Sequence, residues 1–156
     1  MDKLRRMLLK GTGASGALAA ALAAGVLKPG QVFAAEWNKA AFDAKDIDGA
    51  LKGAGVSGAA DSKDVTIKAP DIAENGAVVP IEVASNVPKT QQIMVFIEKN
   101  PTPLAASFDL QNGTEPSVSL RVKMGQTSNI KVVAKADGKF YTTAKEVKVT
   151  IGGCGG

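Results

Sequence analysis

The residue with the clearest chemical potential is Cys154, because the sequence contains one cysteine and no histidine. It stands in the run Gly152-Gly153-Cys154-Gly155-Gly156. Glycine has no side chain and the widest choice of backbone conformations. The run therefore predicts a thin, flexible arm that presents a thiol. With roughly 3.3–3.6 Å per extended residue, Cys154 reaches about 10 Å beyond Ile151.

The surroundings of this thiol favour covalent attachment over catalysis. No Lys, Arg or His stands beside Cys154 to favour the thiolate, which is the nucleophilic form. The missing histidines exclude His-based triads and His-ligated zinc, and the single cysteine excludes internal disulfides and Cys-rich metal sites. A buried structural cysteine is disfavoured by the glycine neighbours, and an incidental exposed thiol by its sensitivity to oxidation. We therefore expect no catalytic residue, no metal and no cofactor in this chain.

The first 35 residues are typical of an export signal. A basic start that contains Arg5 and Arg6 precedes an uncharged small-residue apolar run and a small-residue cleavage site after Ala34 or Ala35. The arginine pair resembles a twin-arginine signal, which predicts export in the folded state to the oxidising periplasm. The general export route remains the alternative. A retained membrane helix is disfavoured because a bilayer requires about 20 apolar residues, so we expect no stable membrane anchor.

The net charge of +4 belongs to this leader. Of the 19 basic and 15 acidic residues, five and one lie in residues 1–35, which leaves 14 of each for the remainder. The residues after the leader have no net charge, so they give no electrostatic reason to bind nucleic acid or an anionic membrane.

Between leader and arm, the sequence predicts short strands. Apolar and polar residues alternate with period two, the pattern of strands with one buried face. The predicted strands are 65–68, 79–83, 92–97, 106–110, 118–124, 130–134 and 140–151. The run 92–97 is apolar on both faces and should be central and covered, whereas Pro80 predicts an edge strand or a bulge. Seven strands with short turns and no intervening helix predict an all-β fold, an immunoglobulin-like antiparallel β-sandwich.

Residues 36–60 are predicted to contain one short amphipathic helix. Trp37, Phe42, Ile47 and Leu51 recur at near-helical spacing and should pack against the sheet, and a group of glycines ends the helix. The predicted domains are thus the export signal 1–35, the β-sandwich 36–151 and the arm 152–156.

Three stretches of this sequence are similar to the SoxY family, the substrate-binding subunits of the bacterial sulfur-oxidation (Sox) system. They are the glycine-flanked cysteine of the arm, the approach Lys148-Val149-Thr150-Ile151, and Glu98-Lys99-Asn100-Pro101-Thr102-Pro103 followed by Phe108. The resemblance covers the whole chain, and the arm is its most diagnostic part.

The resemblance implies a carrier whose chemistry is supplied by partner enzymes. A SoxXA-like c-type haem enzyme joins thiosulfate oxidatively to Cys154, and a SoxB-like sulfohydrolase releases sulfate. A SoxCD-like sulfane dehydrogenase oxidises the remaining persulfide sulfur in some systems. The carrier pairs with a SoxZ-like β-sandwich subunit. Without that subunit we expect a Cys154-linked homodimer.

Two other classes of function remain open on sequence. A periplasmic thiol-redox or peroxide-reducing enzyme would need a second cysteine or an activating base, and the sequence provides neither a second cysteine nor a histidine. The chain could instead be a structural β-sandwich assembly module, in which the C-terminal arm has no function of its own. The intact mass of the protein from cells grown with and without thiosulfate separates these possibilities.

Overall fold

The computed structural model describes residues 38–111 and 113–150, which form two short helices and two sheets. The helices are α1 (Lys39–Phe42) and α2 (Ile47–Gly53). The strands are β1 (Ala60–Asp61), β2 (Val65–Lys68), β3 (Ile72–Ala73), β4 (Val79–Ser85), β5 (Thr90–Ile97), β6 (Leu104–Asp109), β7 (Ser117–Val122), β8 (Ser128–Ala136) and β9 (Lys139–Val149).

The two sheets have unequal size. The larger has the order β1-β9-β8-β5-β6, with β3 also paired to β9, and the smaller has the order β2-β4-β7. All the long strands pair antiparallel, whereas β1 and β3 pair with β9 in parallel. The predicted immunoglobulin-like β-sandwich is therefore confirmed, with two short parallel strands that the sequence pattern did not indicate.

Two apolar layers hold the described residues together. The larger layer fills the space between the sheets and includes Ile93, Val95 and Ile97 of β5. The second layer lies between the larger sheet and the helices and includes Met94 and Phe96 of the same strand. Each of these five side chains is at most 1% exposed, because successive residues of a strand point to opposite faces. The prediction of a central strand covered on both faces is confirmed.

The segment before the sheets forms two helices where the sequence predicted one. Asn38 and Asp46 accept hydrogen bonds from the backbone of Ala41 and Gly49, so each helix has its own N-cap. Phe42, Ile47 and Leu51 pack against the second apolar layer, as predicted. Trp37 lies outside the described residues.

The predicted group of glycines does end the helix, although Gly49 lies inside it. Gly53 is the last residue of α2, and Ala54 is its C-cap. Gly55 follows with a φ of 73°, which suits a residue without a β-carbon. There the N–H groups of Gly55 and Val56 bond the carbonyls of Lys52 and Leu51.

Pro80 corrects the position predicted for its strand. β4 is the middle strand of the smaller sheet, not an edge strand. However, β2 pairs with β4 only as far as Glu82, while Pro80 lies opposite Arg121 of β7. In the described part of the chain, β4 has no recorded strand partner on its β2 side at Pro80. A residue without an N–H group is tolerated at such a place.

Candidate functional site

The described chain reaches Thr150, four residues before the predicted attachment point. Cys154 and its four glycine neighbours, Gly152, Gly153, Gly155 and Gly156, lie outside the described residues, as do Arg5 and Arg6 of the predicted export signal. The part of the site that the structure describes is the end of β9 from which Cys154 follows. We call residues 148–150 the tail root.

The tail root continues past the end of the neighbouring strand. The last register pair between β8 and β9 joins Ser128 and Val147. Beyond it, the N–H of Val149 donates to the Thr127 Oγ1 at 3.0 Å. A threonine side chain therefore takes the place of a main-chain partner on this side of the tail root.

The other side of the tail root is bonded by β3. The N–H of Lys148 donates to the carbonyl of Asp71 at 3.0 Å, and the N–H of Thr150 donates to the carbonyl of Ala73 at 3.1 Å. Lys145 adds a side-chain contact, because its Nζ lies 3.0 Å from the Asp71 carboxylate. All three backbone N–H groups of the tail root thus have a partner.

A close backbone crossing lies beside the tail root. The N–H of Met124 donates to the carbonyl of Gly76 at 2.7 Å. A β-carbon added to Gly76 would lie 2.3 Å from the Met124 carbonyl oxygen and 2.8 Å from Val149 Cγ1. These distances are too short for any side chain, so the approach of the two segments requires glycine.

The turn after Met124 is held from a second direction. The Asn100 side-chain amide donates to the carbonyl of Lys123 at 2.7 Å and its oxygen accepts from the N–H of Gly125 at 3.2 Å. The N–H of Lys99 donates to the Ser128 Oγ at 3.0 Å. The segment 98–100 therefore positions the turn that carries Thr127.

These contacts show which of the sequence stretches that are similar to the SoxY family lie close together in the fold. Residues 98–100 and the tail root both contact the segment 123–128. Phe108 does not join them: it lies toward the opposite end of β6, half-buried, paired with Ile93. The sequence analysis missed Thr127 and Gly76. The residues Glu74-Asn75-Gly76 are typical of a turn, but no local pattern indicates the crossing at Gly76 or distinguishes Thr127.

Two large apolar side chains are exposed beside the tail root. Ile72 is 57% exposed and Val78 is 51% exposed, and no other large apolar residue of the described chain is classed as exposed. Both belong to residues 72–78, which we call the apolar loop. Lys148, the register partner of Ile72, is also exposed.

The described residues contain no cluster of three or more His, Cys, Asp or Glu side chains that could hold a metal ion. None of the helices in the described ranges is long and apolar enough to cross a membrane.

Comparison with protein-family models identifies the family to which this chain belongs. The family model "Sulfur oxidation protein SoxY" matches residues 52–154, a range that includes Cys154. The chain belongs to the SoxY family. No curated protein gave a match.

One solved structure agrees with this assignment. The sulfur carrier protein SoxY from Chlorobium limicola f thiosulfatophilum is 44% identical, with a TM-score of 0.61, over 67% of this chain and 94% of that one. A superoxide reductase (neelaredoxin) from Ignicoccus hospitalis is 14% identical, with a TM-score of 0.49, over 55% of this chain and 79% of that one. The second similarity carries no functional argument.

Proposed function

We propose that this chain is a covalent carrier of sulfur intermediates in thiosulfate oxidation, with Cys154 as the attachment point. The observation that carries the proposal is the SoxY family match, which extends through Cys154. It is supported by the similarity to the Chlorobium protein, whose name describes a sulfur carrier. Because the chain has no other cysteine, no other thiol could hold the intermediate.

The proposed loading step is an oxidation that needs an external electron acceptor. The thiol of Cys154 loses its proton and forms a sulfur–sulfur bond with thiosulfate. Two electrons leave one at a time to the c-type haem groups of a partner of the SoxXA kind, because each haem iron accepts a single electron. The product is a cysteine S-thiosulfonate.

The proposed unloading step is a hydrolysis without a change in electron count. One water attacks the terminal sulfone, which leaves as sulfate, and two protons are released. A persulfide anion remains on Cys154. A SoxB-like hydrolase supplies this step, and a SoxCD-like dehydrogenase oxidises the persulfide where that branch operates.

The proposal places the mature chain in the periplasm. The basic start with Arg5 and Arg6 supports export, and the pairing of the arginines favours the twin-arginine route. Export after folding suits a protein that pairs with a SoxZ-like subunit, because both β-sandwiches could cross the membrane already assembled.

The decisive test uses Cys154→Ser, which changes one atom of the side chain. Wild-type protein incubated with thiosulfate and the haem enzyme should gain the mass of one thiosulfate-derived adduct, which a reductant removes. Cys154→Ser should show no adduct, with an unchanged melting temperature. An adduct on Cys154→Ser, or none on wild type with active enzyme, would falsify the carrier proposal.

A further inference from the structure

We propose that the tail root is a releasable part of the arm, which detaches as one unit and lengthens the reach of Cys154. This inference rests on the proposed carrier function. In the released state the arm begins after Val147, where the register pairing of β9 with β8 ends. The four residues 151–154 span at most about 14 Å, whereas the seven residues 148–154 span at most about 25 Å. Release therefore brings the sulfur to reacting groups that lie too deep in an enzyme for the shorter span.

The first argument is that the tail root is attached more weakly than the rest of β9. Nine register pairs join β9 to β8, and the last of them is at Val147. Beyond it, the N–H groups of the tail root donate two hydrogen bonds to the segment 71–73 around β3, a strand of two residues, and one to the Thr127 side chain. Segments with few buried apolar contacts open at a lower free energy than the whole fold. We therefore expect the tail root to open while the sandwich stays folded.

The second argument is that one side chain anchors the tail root. Lys148 and Thr150 are exposed, whereas Val149 is half-buried and packs against the apolar layer between the sheets. The Val149 side chain lies against Gly76 at the backbone crossing. The N–H groups of Lys148 and Thr150, on either side of it, bond to the carbonyls of the same short segment. Because Val149 lies between these two bonds, withdrawal of its side chain breaks both, and the three residues open together.

The third argument is that the surface left by the tail root is held by other residues. The Lys145 Nζ donates to the Ala69 carbonyl at 2.6 Å and lies 3.0 Å from the Asp71 carboxylate. The N–H of Met124 donates to the Gly76 carbonyl at 2.7 Å. These contacts do not involve the tail root, so the apolar loop keeps its conformation after release. The tail root can therefore return to the same place, and the change is between two defined states.

Residue-resolved hydrogen exchange of the mature protein tests whether the release exists. The amides of the three tail-root residues should share one opening constant. Val149→Ala should raise all three exchange rates about tenfold, equivalent to about 1.4 kcal/mol, because it removes two packed methyl groups. Val118→Ala makes the same change at a half-buried valine of the same apolar layer and should leave the three rates unchanged. Three unrelated opening constants would overturn the proposal, because the residues would then fray one by one.

Loading of Cys154 by the c-type haem enzyme, followed by intact mass, tests whether the release is used. An enzyme that accepts only the released state has a kcat/KM proportional to the population of that state. Val149→Ala should therefore raise kcat/KM about tenfold, in step with the exchange rates. Three glycines inserted after Gly152 supply the same length without release. In that longer arm, Val149→Ala should leave kcat/KM unchanged.

The outcomes separate the release from the carrier function. Faster exchange in Val149→Ala with an unchanged kcat/KM would overturn the proposal, because the enzyme would not use the release. An equal gain in the longer arm would also overturn it, since added length would not be what the substitution supplies. Labelling of Cys154 by a small thiol reagent should be the same in all variants, and a change would trace the gain to the thiol and not to its reach. Wild-type protein that gains no adduct from active enzyme would instead refute the carrier function.

Discussion

The Thr127 side chain forms the hydrogen bond that holds the tail root on its β8 side. It is half-buried, and its hydroxyl is the acceptor for a main-chain N–H at the place where β8 no longer runs beside β9. A net contribution of about 1 kcal/mol is typical for such a bond. That is enough to change how often the end of a strand opens without changing the stability of the whole sandwich.

We predict that Thr127→Val increases the exchange rate of the Val149 amide about fivefold, the ratio that corresponds to about 1 kcal/mol. Valine retains the shape of threonine but has no acceptor. Thr127→Ser, which retains the hydroxyl, is the matched control and should protect the amide as wild type does. Residue-resolved hydrogen exchange measures both. Equal protection in Thr127→Val would show that the side-chain bond is not what holds Val149.

At this scale the sequence predicted an attachment point but not the contacts that hold the strand leading to it. The lone cysteine between glycines predicted Cys154 because composition alone excluded other reactive groups. Gly76 and Thr127 could not be predicted, because their roles depend on segments that lie dozens of residues away and meet only in the fold.

The packing of the two helices against each other depends on Gly53. α1 and α2 approach so closely that a β-carbon on Gly53 would lie 2.7 Å from the backbone nitrogen of Ala41. Backbone atoms cannot move aside as a flexible side chain does. Gly49, in the same helix, meets only the carboxylate of its own N-cap, at 3.2 Å, and the β-carbon of Ala44, at 3.5 Å.

We predict that Gly53→Ala destabilises the protein and that Gly49→Ala does not. Gly53→Ala should lower the free energy of unfolding by about 1–3 kcal/mol, the usual cost of overpacking. Gly49→Ala should leave it unchanged or raise it by up to about 1 kcal/mol, because alanine favours the helix. Denaturant unfolding of both variants measures the difference. A loss of similar size in both would mean that the contact with Ala41 does not decide the cost.

Strands were easier to predict than helices because their apolar pattern is visible in a short window. β7 followed from the alternation of apolar and polar residues, and β5 from a short run that is apolar on both faces. β1 and β3 have two residues each, too few for any period, and they exist because β9 is long enough to offer two separate stretches of its edge. The single predicted helix is two helices in the structure, because Asn38 and Asp46 each cap the start of a separate helix.

In the described ranges, the larger sheet ends at β6 on one side and at the short strands β1 and β3 on the other, and the smaller sheet ends at β2 and β7. Unpaired strand edges invite association unless they are protected. The family resemblance implies a SoxZ-like β-sandwich as a partner. An unpaired strand edge is one place where a strand of that second sandwich would pair with this chain.

We predict that the mature protein, isolated without reductant from its source cells, sediments as a heterodimer with a second small β protein. The chain expressed alone should form a disulfide-linked dimer through Cys154, and Cys154→Ser is the control that prevents it. Reductant should convert the linked dimer but leave the heterodimer intact. A lone monomer with full activity in the reconstituted system would contradict the prediction.

The course of β9 has a mechanical consequence for a carrier. The strand runs beside β8 through nine register pairs, from Ser128 with Val147 to Ala136 with Lys139, and it leads directly to the tail root. Hydrogen bonds of an antiparallel pair lie across the strands, so a pull along β9 loads all of them together in shear. In the proposed carrier cycle, tension on Cys154 would therefore be spread over the whole β8–β9 pairing and would not open one bond at a time.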